Sequence, residues 1–257
     1  MRSKLSSIAG RCGDVALFGL RVLRDAVRAP WEAAETVRQI YEIGWRSLPL
    51  IAAAGFAVGA VLSMHTRASL ERFGAEAMIP AGLAIALFKE TGPLVTGLLF
   101  AGRVGAGIGA ELGAMRVSEQ IDALESLAVD SFKYLVVTRV AACVAVLPLL
   151  TTVMNFTGIL GGFFAETVIS GMSFSLYWER AWSMVDFVDY VPATLKTSVF
   201  GFIIGTVASY LGYNTTGGTA GVGQASTRSV VLASILVILG NVVLVKAIFF
   251  LFPGAEG

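Results

Sequence analysis

Lys89 and Glu90 stand side by side inside an apolar run, residues 77–102, and Thr91, Gly92 and Pro93 follow at once. Ionisable side chains at membrane depth cost roughly 2.5–3.5 kcal/mol each on insertion scales, so they face a cavity, a pathway or one another. Neighbours on a helix project about 100° apart, so these two charges cannot cancel on one face. Pro93 has no N–H and weakens the backbone ladder at the same point. Such a pair can line a polar pocket for a charged group, or it can be one side of the ion pairs that hold a bundle together. Lys196, Asn241 and Lys246 are polar residues in other apolar runs and are the available partners, although both lysines have stems long enough to reach an interface.

A second constellation lies at residues 115–127, where the glycine-laced run AGRVGAGIGAELGAM gives way to RVSEQIDALESL. Val117, Ile121, Leu124 and Ala128 recur at i, i+4, i+7 and i+11, which predicts one apolar stripe of a helix. Arg116, Ser118, Glu119, Asp122 and Glu125 occupy much of the remaining surface. A helix of this kind can dock into a groove on a soluble partner, or rest on a membrane surface.

Other chemistry finds little material. His65 is the single histidine, and neither GxSxG nor HExxH occurs, which removes most metal-site and Ser/His catalytic options. Residues 214–227, NTTGGTAGVGQAST, are glycine-rich but lack the Gly-Lys-Ser/Thr of a P-loop. They read as a flexible turn with Ser226 or Thr227 capping the helix that follows. Cys12 and Cys143 form neither a CxxC nor a disulfide framework. A net charge of +1 implies no nucleic-acid partner. The expectation is a chain without catalytic residues, metal or cofactor.

The elements that position these residues are membrane spans. Only 14% of the residues are charged, against about 25% in a soluble domain, and mean hydropathy is +0.76. Spans need about 20 mostly apolar residues. Five runs qualify: 47–64, 77–102, 140–165, 190–212 and 229–252. Residues 1–46 mix Val15, Phe18, Leu20 and Val22 with Arg21, Arg24 and Arg28, which predicts an amphipathic helix in the headgroup region. Asp14, Arg21, Arg24 and Asp25 interrupt any signal-peptide core. The predicted class is thus all-α: five transmembrane helices plus an N-terminal amphipathic membrane-embedded helix, with residues 47–257 as the membrane domain. Arg2, Lys4, Arg24, Arg103, Arg116 and Lys133 fall on one side and only Arg67, Arg72 and Arg180 in loops on the other, so the N-terminus is expected in the cytoplasm and the C-terminus outside. GxxxG pairs at Gly55/Gly59, Gly105/Gly109, Gly109/Gly113, Gly158/Gly162 and Gly201/Gly205 allow close helix approach, within one chain or between two.

ETGPLVTGLLFAGRVGAGIGAELGAMRVSEQIDALESLAVD, with LERFGAE at 70–76 and TTGGTAGVGQASTRSVV at 215–231, resembles the signature blocks of the MlaE/YrbE-type permeases, the membrane subunits of ABC transporters that work with mammalian-cell-entry (MCE) proteins. The resemblance covers most of the chain from about residue 45. It implies a homodimer in the bacterial inner membrane, with its C-terminus periplasmic. A cytoplasmic ABC ATPase would engage a coupling helix at about 115–127, comprising Arg116, Glu119, Ile121, Asp122, Leu124 and Glu125. A periplasmic MCE-domain protein, in some systems a STAS-domain protein, and phospholipid or a similar lipid as cargo complete the implied set. Lys89, Glu90, Lys196 and Asn241 would be the intramembrane polar residues of the lipid pocket. Relatives commonly show Arg-Glu-Leu-Gly-Pro where this chain has Lys89-Glu90-Thr91-Gly92-Pro93, and lysine lacks arginine's bidentate fork. Two other readings compete: a secondary transporter or channel with a Lys/Glu relay, and a non-transporting anchor for an MCE protein.

Overall fold

A computed structural model describes residues 2–29 and 31–251, with side chains described from residue 13 onward except those of Val188, Phe249 and Leu251. The side chains of Arg2, Lys4, Arg11 and Cys12, and the C-terminal end expected outside, lie beyond the described residues. Among those described, every regular element is helical. Five helices are long and apolar enough to cross a membrane: Ala33–Phe73, Glu76–Val117, Phe132–Ser170, Asp189–Tyr213 and Gly218–Ile248.

In chain order these are α1 (Arg2–Ala26), α2 (Ala33–Leu70), α3 (Ile79–Ala86), α4 (Gly92–Phe100), α5 (Ala106–Val117), α6 (Gln120–Ser126), α7 (Thr138–Ser170), α8 (Phe174–Trp182), α9 (Phe187–Tyr213) and α10 (Gly218–Leu251). Two π-helical turns, Leu87–Thr91 and Ala101–Gly105, join α3, α4 and α5, and a third, Phe132–Val137, leads into α7.

The helices outrun the apolar runs that announced them, because charged turns continue the helical backbone beyond the greasy stretch. α2 starts at Ala33 and carries Glu35, Arg38 and Arg46, so the boundary between residues 46 and 47 falls inside one helix. Arg67, expected in a loop, is in the last turn of α2. Residues 214–227 are not a flexible turn: α10 begins at Gly218, after Gly217 and Gly218 take positive φ of 90° and 68°. Ser226 and Thr227 therefore sit inside the helix instead of capping it, with Ser226 Oγ donating to the carbonyl of Ala106 at 3.1 Å and Thr227 Oγ1 to that of Gly223.

The chain forms two compact units. One comprises the chain up to Ile43, Phe100–Val146 and Phe200–Val237; the other comprises Gly44–Leu99, Leu147–Val199 and the chain from Ile238. In the first, Val22 of α1 is buried with Phe132, Val136 and Val140, and Phe18 meets the Phe132 ring edge-on at 5.1 Å. The guanidinium of Arg21 lies 3.9 Å over the same ring. Leu17, Leu20 and Leu23 of α1, and Val27 just after it, stay exposed. In the second unit, Leu83, Leu87, Phe88, Ile159 and Tyr177 are buried together. There Glu166 is fully buried and takes hydrogen bonds from Arg67 at 2.5 and 3.3 Å and from Ser63 at 3.0 Å.

The glycine pairs serve packing within the chain. A Cβ at Gly59 would overlap the carbonyl of Gly158, and one at Gly55 would meet Thr157 and Met154. Gly201 and Gly205 lie on Cys143 and Val140, and Gly109 and Gly113 on Ser229 and Thr215. These faces are occupied by the chain's own helices.

Candidate functional site

At the first π turn the second unit brings several polar residues together. Gly92 closes that turn by donating its N–H to the carbonyl of Leu87. Pro93 has no N–H for the carbonyl of Lys89 four residues earlier. Lys196 Nζ of α9 donates to that carbonyl at 2.9 Å and, also at 2.9 Å, to Glu90 Oε2. Asn241 Nδ2 of α10 donates to the other carboxylate oxygen of Glu90. Lys89 points elsewhere, as adjacent helical residues must, and pairs with Asp189 at 3.0 Å.

Burial is uneven within this cluster. The Lys196 side chain is 2% exposed and that of Glu90 45%. Asn155 of α7 is fully buried, its amide lies where a Cβ of Gly92 would go, and neither amide atom has a protein partner among the described residues. Thr194 Oγ1 and Asn241 Oδ1 are likewise buried without one. The arrangement is a fixed buried ammonium holding a carboxylate that opens outward, beside polar atoms with hydrogen-bonding capacity in reserve. It can bind a polar or charged group.

All four expected pocket residues, Lys89, Glu90, Lys196 and Asn241, thus join one network. Two more belong with them. Asp189 lies seven residues before Lys196, two helical turns along the same face, and that spacing was a readable signal. Asn155 is a polar residue in an otherwise charge-free apolar run, which is also a signal.

The first unit holds the second constellation, and its shape differs from the single stripe expected. α5 ends at Val117, Glu119 takes a left-handed φ of 58°, and α6 starts afresh at Gln120. Ala128 is left-handed too, at 59°, so Val117 and Ala128 are not on the same helix as Ile121 and Leu124. Ser118, whose hydroxyl donates back to the carbonyl of Ala114, releases the chain from α5. Ile121 is fully buried against its own chain and cannot offer docking surface; Leu127, 74% exposed, is the apolar residue that faces out. Glu119, Asp122 and Glu125 are exposed. Arg116 pairs with Asp122 at 2.7 Å. Glu125 Oε1 accepts from Ser131 at 2.6 Å and from Tyr213 at 3.2 Å. Those two hydroxyls, Ser131 first, hold the Glu125 carboxyl below the usual carboxylate range, with Arg116 and Arg21 adding to the effect.

A family model described as "Permease MlaE" matches residues 36–247. A protein of Rickettsia bellii named "Probable ABC transporter permease protein" is 36% identical over 242 residues, 94% of this chain and 93% of that one. The "Intermembrane phospholipid transport system permease protein MlaE" of Haemophilus influenzae is 33% identical over 242 residues, covering 94% and 91%. The chloroplastic protein trigalactosyldiacylglycerol 1 of Arabidopsis thaliana is 32% identical over 236 residues, 92% of this chain and 65% of that one.

Proposed function

The chain belongs to the MlaE permease family of ABC transporters, and from that premise we propose that it moves phospholipid or a similar lipid between the inner membrane and an MCE-protein conduit to the outer membrane. The observation that carries the reading is the Glu90 carboxylate. It lies about 20 Å along the second span, at 1.5 Å per residue from Glu76, yet is nearly half exposed beside a buried ammonium. Hydrocarbon cannot solvate it, so it faces water, a headgroup or a second subunit. A homodimer fits this need, since a second copy across that face would enclose a polar cleft. The named action of the Haemophilus relative, intermembrane phospholipid transport, supports lipid as cargo.

In this reading ATP is hydrolysed by a separate cytoplasmic ATPase, which docks on the exposed acidic face of α6 through Glu119, Asp122 and Glu125, with Leu127 as apolar contact. The N-terminus is then cytoplasmic and the C-terminus periplasmic, as the distribution of Lys and Arg favours. The site proposed for cargo is Lys89, Glu90, Lys196 and Asn241, extended by Asp189 and Asn155.

The test is lipid transfer from proteoliposomes holding the chain with and without an added ATPase subunit. Transfer that requires ATP and the ATPase supports the reading. Transfer driven by an ion gradient alone would favour the secondary-transporter alternative. Assembly with an MCE protein but no transfer under any condition would favour the anchor.

A further inference from the structure

We infer that Ser131 and Tyr213, bonded to Glu125, form the joint through which movement of α6 reaches the membrane helices α7 and α9. The inference rests on α6 being the ATPase-docking element. α6 is a discrete piece: Glu119 just before it and Ala128 two residues after it are both left-handed without being glycine, a conformation side chains avoid. Movement therefore cannot pass smoothly along a continuous helix, and side-chain ties have to carry it. Arg116–Asp122 is one such tie, but both partners are exposed and solvent weakens it.

The other tie is built differently. Ser131 is buried, 2% exposed, and its hydroxyl donates to Glu125 Oε1 at 2.6 Å, a short charge-assisted bond. Tyr213 OH reaches the same oxygen at 3.2 Å and stands 2.9 Å from Ser131 Oγ, closing a triangle of three oxygens. Ser131 immediately precedes the π turn that leads into α7, and Tyr213 is the last residue of α9. The rings of Phe132 and Tyr213 meet edge-on at 6.1 Å, which keeps the two helix ends in register. One carboxylate on α6 is thereby bonded to the ends of two spans. Ser131 and Tyr213 touch neither cargo nor ATPase in this scheme; they are positioning residues.

The experiment uses the full chain, reconstituted with its ATPase in phospholipid vesicles, as wild type, Tyr213→Phe and Ser131→Ala. Each variant removes one hydroxyl and little else. The readouts are ATPase capture, thermal midpoint, and phospholipid transferred per ATP hydrolysed. The expected result is unchanged capture and midpoint with transfer per ATP lowered about tenfold, the scale of one lost hydrogen bond to a charged group. Wild-type transfer per ATP in both variants would overturn the inference. So would a loss of midpoint or capture large enough to explain the lost transfer, since that is what a purely structural contact gives. The docking reading is judged separately, by charge reversal at Glu119 and Asp122. Undiminished ATPase capture there sinks that reading whatever the hydroxyl variants do.

Discussion

Lys196 and Glu90 are 2.9 Å apart, and the ammonium is buried while the carboxylate is nearly half exposed. The inner member is held twice, since Lys196 also donates to the carbonyl of Lys89. The outer member accepts from Lys196 and Asn241 and still keeps nearly half of its side chain exposed.

Replacing Glu90 with Gln keeps the shape and an acceptor for Lys196 while removing the charge. The complex should stay assembled, with a thermal midpoint close to wild type, and lipid transfer should fall. A fully desolvated pair broken in this way costs about 3–5 kcal/mol, and a loss of that size would show Glu90 to be a lock. Normal transfer from a stable variant would remove Glu90 from the cargo site. Differential scanning of the solubilised complex beside a vesicle transfer assay reads both.

Arg67 and Glu166 should behave in the opposite way. Glu166 is fully buried and collects donors from Arg67 and Ser63 of α2. Glu166→Ala strands the guanidinium, so the expected cost is about 3–5 kcal/mol of stability, seen as a lowered thermal midpoint and reduced yield of folded protein.

Two glycines make a paired test of the close helix approach. Gly59→Ala drives a methyl into the carbonyl of Gly158 and should destabilise by about 1–3 kcal/mol as α2 and α7 are forced apart. Gly107→Ala meets nothing within 4 Å and should be neutral or gain about 0.5–1 kcal/mol. Thermal unfolding of the two variants in one detergent gives the comparison.

The depressed pKa of Glu125 sets a pH window. Its folded value lies below the unfolded one, so its contribution is fully present above the unfolded pKa of about 4.3 and is lost as pH falls through the folded value. Protection of the α6 amides against hydrogen exchange should therefore hold at every pH above the unfolded carboxyl range and fail only as pH falls below it. Ser131→Ala should move that loss to higher pH, because it removes the largest cause of the shift.

Composition and apolar run length made the helical class and the five spans legible, and polar residues at membrane depth marked four members of the charge cluster. What stayed hidden has specific causes. Asp189 precedes its apolar run, where a charge is cheap, so only its seven-residue spacing to Lys196 pointed to it. Glu166 follows directly on a charge-free stretch, and nothing local shows that it turns inward to Arg67. The break at Glu119 uses a residue with no special preference for left-handed φ, so the stripe from Val117 to Ala128 read as continuous. Ile121 then went inward, because only half of that stripe belongs to α6. Gly217 and Gly218 did announce a turn, but the polar residues after them looked too loose for the first turns of α10.

The three π turns bear on how any helical wheel through this chain should be drawn. Each wide turn takes in about one residue more than an α-helix would over the same rise, which rotates everything downstream by roughly 100°. Between α3 and α5 there are two of them. A wheel started at Ile79 is therefore out of phase by about 100° when it enters α4 after the first of them. Phase has to be restarted after Thr91 and again after Gly105. Insertions and deletions of a single residue are also easiest to absorb there, since a π turn that loses one residue becomes an ordinary α turn and leaves the neighbouring helices in step.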